Sequence, residues 1–273
     1  LPEEAQGEVP VPIHDLPPRQ LAFVEPAIDG LAEERPGRVR QQQGEEEPSF
    51  GRGRGGRCRV AVHAIIIAGP WRAAQPSEEG RSLRLAVYQF ALAEEPFWPR
   101  VEARLASAAH AGAEVFVLPE YCGLQLLWPD HRPADGSELM NLASAQAAGY
   151  ADRMQALAAD HGLWIVAGSI PERGSDGRIR NTCVIASPAG ALWRQPKCLM
   201  TAWERDFGVV GGDELLVFLA GELRFAVAVC YDVEVPELAR QAGAAGAELL
   251  FVPSFTEAHW GSRRVNRCAA GIA

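Results

Sequence analysis

The sequence has very little lysine. Lys197 is the only lysine among its 26 lysine and arginine residues. Arginine serves as well as lysine at solvated positions, where either cation is tolerated. It does not replace lysine where a compact ammonium with three rotatable donors is needed, because guanidinium is planar and wider. Lys197 is therefore either a chance surface residue or a candidate for chemistry, and its sequence neighbourhood must decide between them.

Metal-binding and disulfide patterns are also missing. Six cysteines are present, but no two of them form a CxxC pair or a short regular spacing. This pattern excludes the usual zinc motifs and provides no disulfide framework, so a cytoplasmic location is expected. The six histidines show no metal-ligand spacing, and we therefore expect no metal site.

Long hydrophobic runs and excess positive charge are absent as well. The longest apolar stretch, residues 60–69, is interrupted by His63 and has about half the length of a membrane span. We therefore expect a soluble protein with no membrane partner. The formal net charge of −9 at pH 7 argues against a nucleic-acid partner, because such partners favour a basic face.

The first 82 residues differ in composition from the rest. They contain proline clusters, the acidic run Glu45–Glu47 and a glycine–arginine tract at residues 51–57. Such composition favours disorder, so we expect residues 1–82 to be a disordered or non-native leader. The first methionine is Met140 and the final residues read as the interior of a helix. We therefore expect the chain to be a fragment, truncated at its C-terminus.

From residue 83 onward, strand and helix patterns alternate. The predicted strands cover residues 83–90, 115–118, 164–170, 182–187, 191–194, 215–219, 223–229 and 249–252. The predicted helices cover residues 98–111 and 142–161, and a further helix begins near Pro236. Alternating strands and helices, together with hairpins, predict an α/β domain over residues 83–273 with a mixed sheet covered by helices.

Three polar residues stand directly after predicted strands or hairpins: Glu120, Lys197 and Cys230. Loops at strand ends are where α/β folds collect functional groups. Cys230 is predicted to lie on a tight strand-to-helix turn, where backbone N–H groups would lower its pKa and hold an oxyanion. Taken alone, each has an ordinary alternative, because a buried cysteine usually packs as a small hydrophobe and Glu120 fits a loop carboxylate.

Three sequence blocks surround these residues: FVLPEYCG (116–123), RQPKCLMTAWERDFGVVGGD (194–213) and AVAVCYDVEVPELAR (226–240). They resemble the signature blocks of the nitrilase, or carbon–nitrogen hydrolase, superfamily, and the similarity extends over residues 83–273. The resemblance implies an α/β fold of the nitrilase type, an α-β-β-α sandwich that is C-terminally incomplete here. It also implies that no cofactor is needed and that the full-length protein is a homo-oligomer.

The resemblance further implies roles for individual residues. Cys230 matches the nucleophile that forms a thioester acyl-enzyme, Glu120 the general base, and Lys197 the cation that stabilises the oxyanion. The backbone N–H of Tyr231 would share the oxyanion, and Glu204 matches a second glutamate that orients the substrate or the base. These residue types make physical sense, because a thiol attacks an amide only if proton removal and oxyanion charge are both managed locally.

The substrate class follows from the residues after the nucleophile. Cys-Tyr-Asp at 230–232 is similar to the amidase and carbamoylase branches, whereas true nitrilases tend to carry Cys-Trp-Glu there. We therefore expect water to hydrolyse a small amide or carbamoyl compound to an acid and ammonia. Nitrile hydrolysis, acyl transfer to another acceptor, and an inactive truncated remnant stay open as alternatives.

One departure from the family pattern concerns Glu234, four residues after the nucleophile. Many members carry arginine at this position, often associated with a carboxylate-bearing substrate. A glutamate there either favours an amine-bearing substrate or is a solvent-facing residue in the first turn of the next helix, where acidic residues suit the helix dipole.

We predict that Lys197→Arg abolishes turnover and leaves the fold intact. A planar guanidinium cannot act as a point charge aimed at one oxygen. Turnover and far-UV circular dichroism of the purified variant measure the two halves of this prediction. Near-normal turnover with arginine would show that Lys197 is not the oxyanion cation.

Overall fold

The computed structural model describes residues 61–68, 83–89, 95–128, 133–220, 223–256 and 259–272. The strands are β1 (Ala61–Ala68), β2 (Leu85–Val87), β3 (Val115–Leu118), β4 (Trp164–Arg173), β5 (Ile179–Ala186), β6 (Leu192–Pro196), β7 (Val217–Ala220), β8 (Leu223–Val227) and β9 (Leu249–Thr256). The helices are α1 (Phe97–His110), α2 (Gly136–Ser144), α3 (Ala147–His161), α4 (Ala202–Asp206), α5 (Pro236–Ala244) and α6 (His259–Ile272). Short 3₁₀ turns at Cys122–Leu127 and Cys230–Glu234 follow β3 and β8.

The described strands form two sheets. The five-stranded sheet has the order β2-β3-β4-β5-β6, and the four-stranded sheet has the order β1-β9-β8-β7. In the first, β2, β3 and β4 are parallel, whereas β5 and β6 return antiparallel. In the second, β8 and β9 are parallel, while β1 and β7 are antiparallel to their neighbours. Both sheets are mixed, as the alternation of helices and hairpins in the sequence predicts.

Strand β3 shows how the layers are assembled. Val115 and Val117 belong to the core that contains residues of both sheets. Phe116 and Leu118 belong instead to a second core formed with α1 and α3. Side chains alternate between the two faces of a strand, so β3 packs against the other sheet on one face and against helices on the other. Helices α5 and α6 contribute to the inter-sheet core, and the layers follow the order helix, sheet, sheet, helix.

Strand β1 lies inside the segment that the composition predicts to be disordered or non-native. The structure differs there, because residues 61–68 form a strand that pairs antiparallel with β9 over its whole length. The strand sequence AVHAIIIA contains three consecutive isoleucines, and β-branched residues favour strands. The rest of the predicted leader, residues 1–60 and 69–82, lies outside the described residues.

The single helix predicted over residues 142–161 is two helices, α2 and α3. Helix α2 already begins at Gly136, because the Asp135 side chain caps it by accepting the backbone N–H of Glu138 at 2.9 Å. The break between α2 and α3 falls in an alanine-rich run without glycine or proline. Such a run favours helix at every position, so the pattern alone does not reveal where one helix ends.

A close contact between β4 and the loop after β3 sets the direction in which that loop leaves the sheet. Gly168 in β4 has a φ of +58° at an irregularity in the pairing of β4 with β5. A Cβ at this position would lie 2.0 Å from the carbonyl oxygen of Pro119 and 2.6 Å from Sγ of Cys122. The neighbouring Ser169 accepts the backbone N–H of Tyr121 on its Oγ at 2.8 Å. The loop that starts at Pro119 is therefore fixed against β4.

We predict that Gly168→Ala lowers the free energy of unfolding by about 3 kcal/mol or more, because it adds a steric clash with backbone to a left-handed φ. Gly149 in α3 offers a matched control, since a Cβ there meets nothing within 4 Å. Gly149→Ala should raise the free energy of unfolding by about 0.5–1 kcal/mol. Urea unfolding measures both, and equal stabilities for the two variants would contradict the prediction.

Candidate active site

The structure brings the three residues at the ends of strands together with Glu204. Nζ of Lys197 lies 2.9 Å from Oε1 of Glu120 and 2.8 Å from Oε2 of Glu204. Sγ of Cys230 lies 3.7 Å from the backbone carbonyl oxygen of Phe255, whose N–H donates to Oε2 of Glu120 at 2.9 Å, so the thiol lies next to the Glu120 carboxylate. All four side chains are buried, and Cys230, the most accessible, is 6% exposed. The loops after β3, β6 and β8 therefore deliver one compact cluster of a thiol, a cation and two carboxylates.

Lys197 is a buried cation held between two anions. It is 1% exposed, so it is not a chance surface residue. Burial lowers the pKa of its ammonium, but the charges of Glu120 and Glu204 raise it more, and the net pKa lies above the ordinary value. The two carboxylates therefore stabilise the cationic form of Lys197.

Glu204 is held in its ionised form by its surroundings. Burial raises its pKa, but the charge of Lys197 and several hydrogen bonds lower it, and the net pKa is below the ordinary value. Glu204 also closes a capping box at α4, because its Oε2 accepts the backbone N–H of Thr201 at 2.9 Å. The hydroxyl of Tyr121 donates to Oε1 of Glu204 at 2.8 Å. Glu204 is thus a fixed negative charge built into the start of a helix.

The net pKa shift of Glu120 is opposite in direction to that of Glu204. Burial raises its pKa, Lys197 lowers it and the charge of Glu204 raises it again, with a net pKa above the ordinary value. Its Oε2 accepts the backbone N–H of Phe255 at 2.9 Å. Two carboxylates whose environments move their pKa values apart can divide the roles of proton carrier and fixed charge. Glu120 is the one suited to carry a proton.

Cys230 opens the 3₁₀ turn after β8 in a strained conformation. Its φ of +49° lies in the left-handed region, which residues other than glycine rarely adopt. Burial and the charge of Glu120 raise the pKa of its thiol above the ordinary value. The net lowering of this pKa that the sequence predicts is therefore not found, because removal from water outweighs the charge of Lys197 and a backbone hydrogen bond at Phe255, which both lower it. Such a thiol needs a neighbouring base to lose its proton.

Tyr231 and Glu234 lie further along the same turn. Tyr231 is half-buried and lines a surface cavity of about 520 Å³. Glu234 precedes α5, and its carboxylate oxygens lie 2.7 Å from Nε of Arg264. The alternative that places Glu234 in the first turn of a helix, facing solvent, is wrong, because its side chain is 11% exposed and paired. An amine-bearing substrate would have to compete with Arg264 for this carboxylate.

Two residues of the site are not identified by the sequence patterns. The Nδ2 atom of Asn181 lies 2.9 Å from Oε1 of Glu120 and 2.9 Å from Oε1 of Glu204. Asp232 is fully buried beside the cluster. Asp232 stands inside one of the blocks that resemble the family and Asn181 opens the segment NTCVIASPAG (181–190), but neither follows a strand as an isolated polar residue. Their contacts arise only when separate strands come together.

Asp232 joins the loop after β6 to the turn after β8. Its Oδ1 accepts the backbone N–H of Leu199 at 2.7 Å. Its Oδ2 accepts the backbone N–H of Cys198 at 3.2 Å and that of Val229 at 3.0 Å. Burial raises the pKa of Asp232 to about 6, although these N–H groups and Lys197 lower it. One carboxylate therefore fixes the backbone next to both the cation and the thiol.

The described part of the chain contains neither a candidate metal centre nor a candidate membrane span. No group of three or more His, Cys, Asp or Glu side chains is placed there to hold a metal ion. Within the same residues, no helix has the length and apolar composition that crossing a bilayer requires.

Comparison with known proteins places this site in context. The family model described as carbon-nitrogen hydrolase matches residues 84–267. The probable hydrolase YhcX of Bacillus subtilis is 30% identical over 199 residues, which cover 70% of this chain and 38% of that protein. Omega-amidase NIT2 of Xenopus tropicalis is 26% identical over 167 residues, which cover 56% of this chain and 57% of that protein. The matched part of the chain thus spans between 38% and 57% of the length of these curated relatives.

A solved structure shows the same fold. A cysteine-to-alanine mutant of the Nesterenkonia AN1 amidase, described as a member of the nitrilase superfamily, aligns with a TM-score of 0.54 and 26% sequence identity. The alignment covers 64% of this chain and 66% of that one. The predicted α-β-β-α sandwich of the nitrilase type is therefore confirmed.

We predict that Asp232→Ala lowers the free energy of unfolding by about 3 kcal/mol or more, because three backbone N–H groups, that of the buried Val229 among them, lose their acceptor. Asp213 is exposed, so Asp213→Ala serves as the matched control and should stay within about 0.5 kcal/mol of the parent. Urea unfolding followed by circular dichroism gives both values. A fully stable Asp232→Ala variant would show that these hydrogen bonds do not hold the two loops.

Proposed function

We propose that this chain, which belongs to the carbon–nitrogen hydrolase family, hydrolyses the C–N bond of a small amide or carbamoyl compound to an acid and ammonia. The observation that supports this most directly is the buried cluster itself. The charges of Glu120 and Lys197 both act on the Cys230 thiol, and the Glu120 carboxylate, whose pKa is raised, is paired at 2.9 Å with the Lys197 ammonium. The nucleophile, the base and the cation needed for acyl transfer are thus all available in one buried cluster.

In the first half of the proposed reaction, the carboxylate of Glu120 takes the proton of the Cys230 thiol while Sγ attacks the amide carbon. The S–C bond forms and the carbonyl electrons move to the oxygen. An ammonium has three donor hydrogens. Two of those on Lys197 are used by Glu120 and Glu204, so the third is available to the oxyanion. The backbone N–H of Tyr231 is the second proposed donor.

Collapse of this intermediate breaks the C–N bond. Glu120 gives its proton to the departing nitrogen, which leaves as ammonia, and an acyl thioester remains on Cys230. Water then attacks the thioester carbon, and Glu120 takes the proton that the water loses. The C–S bond breaks and that proton returns to Sγ. The carboxylic acid leaves, and the thiol and the carboxylate are restored.

The size of the substrate follows from the enclosure of the site. Cys230 is 6% exposed, and Glu120 and Lys197 are less exposed still. The Tyr121 ring centroid lies 6.1 Å from that of Trp203 and 6.3 Å from that of Phe255. The Tyr121 hydroxyl donates to Glu204, so these rings place apolar surface beside the polar cluster, and apolar surroundings strengthen the electrostatic interactions inside. A compact amide is therefore the proposed substrate.

Ammonia release from a panel of small amides, carbamoyl compounds and nitriles tests this function. We predict release from amides or carbamoyl compounds, reduced at least about 10³-fold by Cys230→Ala. Cys268→Ala in α6 is the matched control and should retain the parent rate. Mass spectrometry should show an acyl adduct on Cys230. Release from nitriles alone would replace amide hydrolysis by nitrile hydrolysis, and no release from any amide or carbamoyl compound by folded protein would overturn the proposal.

A further inference from the structure

Asn181 contacts every part of the cluster except the thiol. It lies in β5, and its carbonyl oxygen accepts the backbone N–H of Lys197 at 2.8 Å. Its side-chain Nδ2 lies 2.9 Å from both Glu120 and Glu204, the two carboxylates that the Lys197 ammonium also binds. The residue is fully buried. The neutral amide of Asn181 therefore bridges the same two carboxylates as the ammonium of Lys197.

The orientation of the Asn181 amide is set by these two carboxylates. An amide nitrogen has two donor hydrogens, and both are used, one for each glutamate. The reverse orientation would aim an oxygen at two anionic oxygens. The Oδ1 atom is buried and has no hydrogen-bond partner among the described residues. Leaving an acceptor unpaired costs free energy, so the two bonds to the glutamates outweigh that cost.

A neutral donor at this place has an electrostatic consequence. The charged and titratable groups that face Glu120 are Lys197, Glu204, Tyr121 and Cys230. Two carboxylates share one cation there, so they repel each other across the site. A hydrogen bond to an ionised carboxylate favours that form and lowers its pKa. Asn181 supplies one such bond to each carboxylate and adds no charge that would compete with Lys197.

We propose that Asn181 is a positioning residue whose amide holds Glu120 and Glu204 on the two sides of Lys197 and so keeps Glu120 both aligned and ionised for proton removal from Cys230. The proposal rests on the proposed function in one respect, that Glu120 is the base. To that function it adds a residue that binds both carboxylates and the backbone of Lys197.

The test compares Asn181→Ala, which removes both donors, with the nearly isosteric Asn181→Asp. Asn266→Asp on the exposed face of α6 makes the same chemical change away from the site. The measurement is kcat and KM for the best amide as a function of pH. The acidic limb of kcat/KM reports the base of the free enzyme. Because the Glu120 pKa is raised, this limb should lie above the ordinary glutamate pKa in the parent.

Asn181→Ala should move the acidic limb upward by about one pH unit, because the ionised carboxylate loses a hydrogen bond, and should therefore lower kcat/KM about tenfold at pH values below that limb. KM should change less than about threefold. Asn181→Asp should move the limb at least as far, since it adds a third carboxylate. Asn266→Asp should match the parent. A uniform loss of kcat with the parent's pH profile would overturn the proposal, because a merely structural role predicts that result.

A second readout is independent of turnover. The rate at which iodoacetamide alkylates Cys230, followed by mass spectrometry, depends on base-assisted loss of the thiol proton. Asn181→Ala should slow it at neutral pH and shift its pH dependence upward. If the parent hydrolyses no amide, the proposed function fails, while these rates still decide the role of Asn181. If Asn181→Ala does not fold, Asn181→Asp decides; alkylation of that folded variant at the parent's rate at every pH overturns the proposal.

Discussion

The ion pairs around the buried ammonium of Lys197 organise the candidate active site. Lys197 lies between two carboxylates at 2.9 Å and 2.8 Å, and all three side chains are at most 2% exposed. A buried ion pair is costly to break by removing one partner, because an uncompensated charge stays behind. The cation therefore holds the loops after β3 and β6 and the start of α4 together. The same cation separates the properties of the two acids, since Glu204 stays ionised while Glu120 keeps a raised pKa.

The fold supplies this network through contacts of the backbone rather than of flexible side chains. The close approach of Gly168 to Pro119 fixes the loop that carries Glu120. Asp232 fixes the backbone beside Lys197 to the backbone beside Cys230. The strained φ of Cys230 is held by this surrounding structure. Glu120, Lys197 and Cys230 thus lie on loops that are fixed by backbone contacts, which explains how the buried site keeps its geometry.

The sequence predicted which side chains meet in the candidate site better than it predicted how the strands and helices are arranged. β3 was predicted over the residues that the structure gives it, Val115–Leu118, and α5 begins at the predicted Pro236. Glu120, Lys197 and Cys230 could be selected because strand ends and a resemblance to family blocks both marked them. Asn181 could not, because its role depends on two carboxylates that arrive from other segments. The pairing of β1 with β9 and the break between α2 and α3 are likewise decided by tertiary contacts, which composition and helix propensity do not record.

The solitary lysine makes the central claim directly measurable. With lysine labelled by ¹⁵N at Nζ, the folded protein should show one ammonium resonance, with protons that exchange slowly because the group is buried and hydrogen-bonded. Because the pKa of Lys197 is raised above its ordinary value of 10.5, this resonance should not titrate as the pH rises through that value. A resonance that titrates near 10.5 with rapidly exchanging protons would show that Lys197 is solvated, and would contradict its place as the buried cation between Glu120 and Glu204.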